Sequence, residues 1–462
     1  MIAEESVREC LNDTLDVMKP MEKRDNYRTL IISHNSLSSG SSNGRTLEGF
    51  FWCWRKDSLA QIFFASEIPD TDVCSKFFRV TDMEVLKATI FSEDAGKEIE
   101  CSSGSQTRKS SSSRIEKVLH TFGKKKTSIG YIARNLIWRL GSKRLSLLNR
   151  WIDLFDPEVV LYQAGDYVFS LKIALDVSRR KGIPLIIYNS EDYFLKKRFS
   201  LNPCYWMNRK AFVRVFREAI ENASYVIYSC ELLKEDFDDF FETPSEVIYT
   251  SSRIEPTFRK KDNTHFRISF IGNLGNRRHV PLIDFCEELV KIDPRLYVDV
   301  YSKTSIDLNR FDSKGLKFHG SIGYQQVQEV IAQSDFLLHV EDFSKTTKRD
   351  LRHAFSTKIA DYLSSGKCVI AYGPVQIASI EYLLRNRAAL VITEKNEIEP
   401  SLKSLLRDVT LQRFLSFNAL NLAKKNHNPL ANCDRFKSIV DTVIKSDSRK
   451  VLSTRSKNLW RE

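Results

Sequence analysis

The residues best suited to chemistry are grouped around the segment Ser356-Thr357-Lys358. A helix is predicted to begin here, because Ser and Thr are favoured N-cap residues and apolar residues follow at helical spacing. The free N–H groups at a helix start, together with the charge of Lys358, attract anions. The segment therefore predicts a site for a phosphate or diphosphate group. The alternative is an ordinary solvated helix start.

An acidic residue is predicted to face the same site. Residues 335–340 form an apolar run typical of a buried strand, and Glu341 follows it directly. Open α/β sheets bind ligands in the crevice at the carboxyl ends of their strands. We therefore expect Glu341 and the start of the 356 helix to contact one bound molecule. That helix is predicted to end at Gly366 in a left-handed C-cap, before a buried strand over 368–371.

A second anion-binding loop is predicted after a strand that ends at residue 271. The small residues of the loop allow close approach of the backbone to a ligand, and a guanidinium supplies bidentate charge. The candidate ligand-binding residues of this loop are Gly272, Asn273, Gly275, Arg277 and Arg278.

The segments SDFLLHVEDF and STKIADYLSSGKCVIAYGP resemble the donor-binding half of GT-B glycosyltransferases, in particular the family 4-like enzymes of bacterial polysaccharide synthesis. The resemblance implies that Glu341 contacts the donor sugar and that residues 356–358 hold its diphosphate. Asp361 stands where the family usually has a second acid, Glu.

The resemblance extends to the glycine-rich loop and to the next strand. It implies that Arg278 binds phosphate, with Arg277 beside it. It also places Tyr301 and Ser302, at the end of a predicted strand over 296–301, where family members meet the nucleotide base.

The first half of the chain offers candidates for the second substrate. A strand over 28–33 precedes a Gly/Ser-rich loop over 34–44, and a helix is predicted over 45–56. The matching loop of GT-B enzymes meets the acceptor and the donor phosphates; a plain turn is the alternative. The loop residues named for the site are Ser39, Gly40, Asn43 and Gly44.

Three further acids follow predicted strands of the first half: Asp166, Glu191 and Asp192. Carboxylates at such strand ends would orient sugar hydroxyls or accept the proton of the acceptor. Helix N-capping by Asp166 and Asp192 is the alternative.

Alternating strands and helices in both halves predict an α/β protein with two Rossmann-like doubly wound domains facing a cleft, as in GT-B. Because 462 residues exceed what one core usually supports, two domains are expected. The predicted boundaries are an extension over 1–27, an acceptor domain over 28–250, a hinge over 251–265, a donor domain over 266–425, and a C-terminal helix and basic tail over 426–462. This last helix resembles the one that crosses back to the first domain in GT-B proteins.

The net charge of +12 is concentrated in one region, since residues 101–150 hold twelve Lys or Arg and one acid. A basic, Ser-rich insert is predicted over 91–128 and a basic amphipathic helix over 129–148. An anionic membrane surface or a phosphorylated acceptor would suit this charge. A solvated insert, with the helix packed on the domain core, is the alternative. No nucleic-acid partner is expected, because aromatic stacking residues are not interleaved with the basic ones.

The nine cysteines are scattered, with no C-x-x-C pair, and several of them lie in apolar contexts, including Cys53. They are predicted to be reduced core thiols. No apolar run is long enough to cross a bilayer, and the start of the chain lacks a signal core. A cytoplasmic protein, peripheral at the inner face of the membrane, is expected.

The resemblance implies a glycosyltransferase that moves a sugar from a nucleotide-sugar donor to a glycan or lipid-linked acceptor in cell-surface polysaccharide synthesis. Arg278 and Lys358 would stabilise the departing diphosphate, and Glu341 would fix donor hydroxyls. The family likeness implies retention of configuration. No metal and no cofactor beyond the donor are expected; the D-x-D spacing at Asp236 and Asp238 is interpreted as an acidic helix surface.

Two other functions are compatible with the same frame. One is a sugar-nucleotide epimerase, and the other is a non-catalytic protein that binds a nucleotide sugar or a glycan. A transferase differs from both because it alone needs a second, acceptor substrate.

Overall fold

A computed structural model gives the fold of the chain. It describes residues 27–38, 42–100, 127–196, 199–257, 266–308 and 314–459. Their contacts divide the chain into two compact units. The first unit is formed by the described residues within 21–229, 233–248 and 433–462, and the second unit by those within 230–232 and 249–432.

The first unit is built on an eight-stranded sheet in the order β4-β3-β2-β1-β5-β6-β7-β8. Neighbouring strands are parallel, except that β4 runs antiparallel to β3. The strands are β1 Thr29–Ser33, β2 Leu59–Phe63, β3 Lys76–Arg79, β4 Lys97–Ile99, β5 Val159–Gln163, β6 Leu185–Asn189, β7 Tyr225–Tyr228 and β8 Ser245–Val247.

Helices connect these strands. The central strands β1, β5 and β6 are fully buried, which explains the continuous apolar runs of the sequence. The helices that precede β8 are α1 Ser42–Phe50, α2 Asp82–Phe91, α3 Ser128–Gly141, α4 Ser146–Phe155, α5 Val168–Lys181, α6 Pro203–Asn222 and α7 Glu231–Asp238.

The end of the chain contributes to the core of the first unit. The last helix of the fold runs over Pro429–Leu459, and from Cys433 on it belongs to this unit. Phe436 of this helix stacks on Phe50 with ring centroids 5.4 Å apart and meets Phe51 edge-to-face at 5.2 Å. Such buried aromatic pairs add to the stabilisation that burial alone provides.

One cysteine prediction is wrong. Cys53, which follows α1, forms a disulfide with Cys433 of the last helix. The two residues lie 380 positions apart in the sequence, so no local spacing could reveal the pair. Among the described residues, the free cysteines are Cys74, Cys204, Cys230, Cys286 and Cys368.

The second unit is built on a six-stranded parallel sheet in the order β11-β10-β9-β12-β13-β14. The strands are β9 Ile268–Ile271, β10 Val298–Tyr301, β11 Leu316–Gly320, β12 Phe336–Val340, β13 Cys368–Tyr372 and β14 Leu390–Ile392. The helices are α8 His279–Ile292, α9 Tyr324–Gln333, α10 Lys345–Leu351, α11 Lys358–Ser364, α12 Ala378–Arg385, α13 Ile398–Arg407, α14 Val409–Asn426 and the start of α15 Pro429–Leu459.

Each sheet reverses its strand order at one point. In the second unit the chain builds outward from β9 to β11 and then returns to the other side of β9 with β12. In the first unit the same reversal falls between β1 and β5. Ligands of doubly wound sheets bind at such switch points, beyond the carboxyl ends of the strands. The predicted fold class, two Rossmann-like units, is confirmed.

Some predicted elements differ from the observed ones. The helix predicted over 45–56 begins at Ser42 and ends at Phe50. The helix predicted over 129–148 is two helices, α3 and α4, separated by a 3-10 turn at Ser142–Arg144. The insert predicted over 91–128 contains a short edge strand, β4; residues 101–126 lie outside the described residues. No helix within the described part of the chain is long and apolar enough to cross a membrane.

Candidate functional site

The site of the second unit lies at the switch point between β9 and β12. Gly272 follows β9, and its backbone N–H donates to the carbonyl of Tyr301 at the end of β10. The ammonium group of Lys358, at the start of α11, occupies the space that a Cβ on Gly272 would need. A glycine is therefore required at residue 272 to bring this cation against the strand end.

The second cation of the site, Arg278, forms an ion pair with Glu341. Arg278 lies at the start of α8, and its Nε and Nη2 donate to the two carboxylate oxygens of Glu341 at 2.9 and 2.8 Å. This bidentate geometry is the strongest form of an arginine–carboxylate contact. Glu341 directly follows β12 and is buried. Burial raises the pKa of its carboxyl, while the charges of Arg278 and Lys358 act in the opposite direction.

A buried histidine lies behind this pair. The Nε2 atom of His339, on β12, is 3.2 Å from the hydroxyl oxygen of Ser379 and 3.4 Å from a carboxylate oxygen of Glu341. Burial, helped by the charges of Arg278 and Lys358, lowers the pKa of His339 to about 3. The imidazole is therefore neutral at physiological pH and does not neutralise Glu341.

The loop between β9 and α8 is held by its own side chains. Asn273 Oδ1 accepts the backbone N–H of Gly275 at 2.6 Å, so this amide oxygen shapes the loop. Asn276 and Arg277 both adopt left-handed backbone angles, with φ of 53° and 61°. This turn aims the Arg277 side chain toward Asp342, with its Nε 3.6 Å from the Oδ2 atom, and leaves the guanidinium largely exposed.

Asp342 is a site residue that the sequence reasoning missed. Its Oδ2 atom accepts hydrogen bonds from the hydroxyls of Ser344 and Thr347 and so fixes the start of α10. Burial alone would raise the pKa of Asp342, but these hydrogen bonds and the charge of Arg277 hold it below its usual value. The run Glu341-Asp342 therefore contributes two anchored carboxylates next to two arginines.

The predicted start of α11 is correct in place and wrong in detail. The N-cap residue is Thr357, but it has helical backbone angles and its side chain makes no capping hydrogen bond. Instead the Ser356 carbonyl accepts the N–H of Ile359. The helix has seven residues, and Gly366 beyond it adopts the predicted left-handed angle, with φ of 74°.

Asp361 already has a partner. Its Oδ1 atom accepts a hydrogen bond from the Ser252 hydroxyl at 2.7 Å, and both residues are buried. The carboxylate thus anchors the segment that follows β8. A role in binding a donor sugar stays a prediction.

The end of β10 has the features of a ring-binding platform. Tyr301 stacks on His319 with ring centroids 4.8 Å apart and planes at 15°. The hydroxyl of the next residue, Ser302, is buried and has no hydrogen-bond partner within the described residues. An unpaired buried hydroxyl costs stability unless water or a ligand satisfies it.

The first unit places two of its predicted acids in contact with tyrosines. Asp166 follows β5 and accepts a hydrogen bond from the Tyr131 hydroxyl of α3 at 2.6 Å. Burial and the charge of Asp166 raise the pKa of Tyr131 well above its usual value. Burial and, next, the charge of Glu191 raise the pKa of Tyr193 in the same way.

The alternative interpretation, in which Asp166 and Asp192 cap helices, is wrong. The N-cap residue of α5 is Tyr167, without a side-chain cap. Asp192 accepts the backbone N–H groups of Phe194 and Leu195 in a loop, and no helix begins there. Tyr131 was missed because it is brought to Asp166 from a helix 35 residues earlier in the chain.

The loop after β1 is ordered by a residue that the sequence did not single out. Gln61 of β2 accepts the N–H of Leu37 and donates to Ser33 Oγ and to the carbonyl of Asn35. The predicted loop residues Asn43 and Gly44 belong to α1, because the helix begins earlier than expected. Ser39 and Gly40 lie outside the described residues.

Within the described ranges, no group of three or more His, Cys, Asp or Glu side chains is arranged to hold a metal ion.

The strand order, the switch-point site and the paired units together define the GT-B fold. No protein-family model matches the sequence, and no curated protein matches it. Solved structures of the same fold do match. Sucrose-phosphate synthase from Thermosynechococcus elongatus aligns with a TM-score of 0.54 at 9% identity, over 91% of this chain and 100% of that one.

Two further structures align over similar lengths. HepE from Anabaena in complex with UDP-glucose gives a TM-score of 0.55 at 12% identity, over 90% of this chain and 99% of that one. A glycosyltransferase from Rickettsia africae gives 0.52 at 11% identity, over 91% and 100%. At these identities the likeness shows the fold.

Proposed function

We propose that the protein is a glycosyltransferase that uses a nucleotide-sugar donor. The observation that carries the proposal is the convergence of Lys358, Gly272 and the Arg278–Glu341 pair at the switch point of the second unit. Fixed positive charge at such a point suits a diphosphate leaving group, on which negative charge develops during transfer. The complex of HepE with UDP-glucose, on the same fold, supports a donor of this class.

The two cations would act differently. Arg278 uses its Nε and Nη2 edge on Glu341, and Nη1 lies 3.5 Å from the carbonyl of Asn273, which is too long for a strong hydrogen bond. Its Nη1 edge would therefore donate to the diphosphate. Lys358, on Gly272, would meet a phosphate oxygen as a point charge. This charge would replace a metal ion, so transfer is proposed to be metal-independent.

Other residues would position the donor. Glu341, oriented by Arg278, would accept a donor hydroxyl, and the neutral His339 behind it would leave that carboxylate charge intact. The Tyr301–His319 stack and the Ser302 hydroxyl would meet the nucleotide base.

The first unit would supply the acceptor site. Asp166 with Tyr131, and Glu191 near Tyr193, combine carboxylates with aromatic rings at the carboxyl ends of β5 and β6. Such groups suit a sugar, because rings pack on its apolar faces and carboxylates accept its hydroxyls. The acceptor is proposed to be a glycan or lipid-linked sugar of a cell-surface polysaccharide, and transfer to retain configuration.

A thermal-shift screen tests the donor class. UDP, GDP and their sugar conjugates are added to the wild type, to Lys358→Ala and to the control Lys345→Ala, which removes an exposed lysine of the same unit. A ligand that binds only the folded protein raises its melting temperature by mass action. We expect one nucleotide family to stabilise the wild type and the control, with the shift lost in Lys358→Ala.

Transfer itself is tested with the nucleotide sugar of that family and a panel of glycan and lipid-linked acceptors, with and without a chelator. Donor binding without transfer to any acceptor would favour a non-catalytic binding protein. Loss of transfer on chelation would overturn the metal-independent mechanism.

A further inference from the structure

Helix α3 of the first unit turns an apolar stripe to the outside. Ile129, Ala133, Leu136 and Leu140 recur at positions i, i+4, i+7 and i+11, and all four are exposed. A helix on the surface of a globular protein ordinarily buries such a stripe in the core. The stripe of α3 has therefore been left without the usual protein cover among the described residues.

The opposite face of α3 explains this orientation. Arg134 and Trp138 both donate to Asp82 at the start of α2, at 2.8 and 2.7 Å, and Tyr131 donates to Asp166. These polar and aromatic contacts fix the helix on the first unit. Leu136 and Leu140 are therefore exposed and do not pack on the domain core, because the anchored face of α3 is the other one.

A second exposed apolar group lies at the start of α6. Asn135 of α3 donates to Asn208 of α6 at 3.0 Å, so α3 contacts the first turns of α6. Trp206 and Met207 are exposed on those turns. Trp206 Nε1 also donates to the carbonyl of Ser200, which holds Phe199 and Leu201 at the same end of the helix.

We name this surface the α3–α6 patch: Ile129, Leu136, Leu140, Phe199, Leu201, Trp206 and Met207. The exposed fractions of these residues run from 46% for Trp206 to 88% for Leu201. Exposed apolar residues in this number, on two helices that contact each other, mark a docking site.

The two segments that carry the patch have charge of one sign. Residues 128–152 and 193–217 contain no Asp or Glu. Arg139 on α3, and Lys210 and Arg214 on α6, are exposed beside the apolar residues. A two-fold contact with a second copy would bring these cations together without an acid of the patch to pair with them. Anionic phospholipids supply both the apolar medium and the negative charge that the patch lacks.

We propose that the α3–α6 patch binds the interface of an anionic lipid bilayer. The leucines, Met207 and Phe199 enter the boundary between headgroups and acyl chains, Trp206 lies at headgroup level, and Lys210 and Arg214 contact lipid phosphates. Binding of lipid is independent of the donor site. The accompanying inference that the sugar acceptor is membrane-borne rests on the proposed function.

The test is cosedimentation of the full chain with vesicles of phosphatidylcholine alone and of phosphatidylcholine mixed with phosphatidylglycerol. The apolar variant combines Leu140→Ser with Met207→Ser. Its control combines Leu384→Ser with Phe414→Ser, two exposed apolar residues of the second unit. We expect the wild type and the control to pellet with the mixed vesicles only, and the apolar variant to lose about tenfold or more of its partition coefficient.

A charge variant, Lys210→Ala with Arg214→Ala, is compared with Lys345→Ala and Lys348→Ala in the second unit. We expect a loss of roughly thirtyfold for the first pair and little change for the second. Because every substituted residue of the patch is exposed, unchanged melting temperatures will show that the variants fold.

The proposal is overturned if the wild type pellets with neither vesicle, pellets equally with both, or is unaffected by the patch substitutions. It is also overturned if light scattering shows a dimer that the apolar variant disrupts while lipid does not bind. Nucleotide-induced thermal shifts are measured on the same variants. If the nucleotide-induced shifts persist in a variant that no longer binds lipid, the patch is a site separate from the donor site. If no nucleotide shifts the melting temperature but lipid still binds, the proposed donor site fails and the lipid-binding proposal stands.

Discussion

The ammonium group of Lys358 lies against Gly272, in the space where any larger residue would place its Cβ. Because the ammonium is the end of a flexible side chain, an alanine at residue 272 would displace it at little cost to folding. We expect Gly272→Ala to leave the free energy of unfolding within about 1 kcal/mol of wild type and to weaken nucleotide affinity about tenfold or more. Calorimetric titration and chemical denaturation measure the two quantities.

The control is Gly165→Ala, since a Cβ at Gly165 meets nothing within 4 Å. A double variant adds a sharper criterion. If Gly272→Ala acts by moving the ammonium, it will weaken binding no further in a Lys358→Ala background. Additive losses would contradict this explanation.

The Arg278–Glu341 contact predicts that lysine cannot replace arginine at residue 278. Lysine keeps the charge but not the two parallel N–H donors that Glu341 accepts at 2.9 and 2.8 Å. We expect Arg278→Lys to lower the free energy of unfolding by about 1.5–3 kcal/mol, the contribution of a hydrogen bond to a charged group. Nucleotide affinity should fall as well, because Glu341 and the guanidinium lose their mutual orientation.

Arg277→Lys is the matched control. The Arg277 side chain is 65% exposed and its Nε lies 3.6 Å from Asp342, so the stability change should stay within about 0.5 kcal/mol. Equal destabilisation by the two substitutions, measured by urea denaturation, would show that the bidentate Arg278–Glu341 pair contributes no more to stability than the exposed Arg277–Asp342 contact.

His339 predicts a defined loss of stability in acid. Its pKa falls from 6.5 to about 3 in the folded protein. Between these two pH values the unfolded chain binds a proton on His339 and the folded chain does not. The contribution of the neutral imidazole to the free energy of unfolding is complete above pH 6.5 and is lost as the pH falls toward 3. The expected loss is about 2 kcal/mol on going from pH 6.5 to about 5.

The comparison with His339→Gln isolates this contribution from the titration of other groups. The variant will be less stable than the wild type near neutral pH, and the difference will shrink as the pH falls from 6.5. Parallel pH profiles of the unfolding free energy would mean that His339 is accessible to protons in the folded protein.

The strand ends were predictable from sequence because a buried parallel strand is a continuous apolar run, and the first polar residue after it falls at the sheet edge. Glu341 follows the run 336–340 in this way, and Gly272 follows 268–271. Their approach to each other follows from the strand order, in which β12 returns beside β9. The resemblance to GT-B enzymes implies a doubly wound sheet of this kind, whereas periodicity alone does not give the strand order.

What the sequence could not predict depends on side chains that meet across long separations. The orientation of α3 is decided by the contacts of Arg134 and Trp138 with Asp82, more than fifty positions away, and these outweigh its apolar periodicity. The start of α1 is not predictable in this way because a glycine favours a loop, whereas Gly44 lies inside the helix. The strand β4 is three residues long, too short for a recognisable alternation.

The Tyr131–Asp166 hydrogen bond predicts a separable effect in the first unit. Tyr131→Phe removes the donor that Asp166 accepts at 2.6 Å and leaves the ring in place. If Asp166 orients the acceptor, KM for the acceptor should rise several-fold while nucleotide affinity stays unchanged. A change in nucleotide affinity without a change in acceptor KM would contradict the assignment of Asp166 to the acceptor.

The disulfide between Cys53 and Cys433 predicts that a reductant lowers the stability of the first unit. It joins Cys53, three residues beyond the end of α1, to the last helix, and it closes a very long stretch of chain. A cross-link of this kind restricts the unfolded chain and typically contributes about 2–4 kcal/mol. The melting temperature of the wild type should therefore fall when dithiothreitol is added.

The variant Cys53→Ser with Cys433→Ser supplies the control, because a reductant has no bond to break there. We expect its melting temperature to be lower than that of the oxidised wild type and insensitive to dithiothreitol. Mass spectrometry of the unreduced wild type after alkylation will show whether the two thiols are protected. Full alkylation of both, with no effect of reductant on melting, would mean that the pair is reduced and that α15 is held by apolar packing, including that of Phe436 on Phe50 and Phe51.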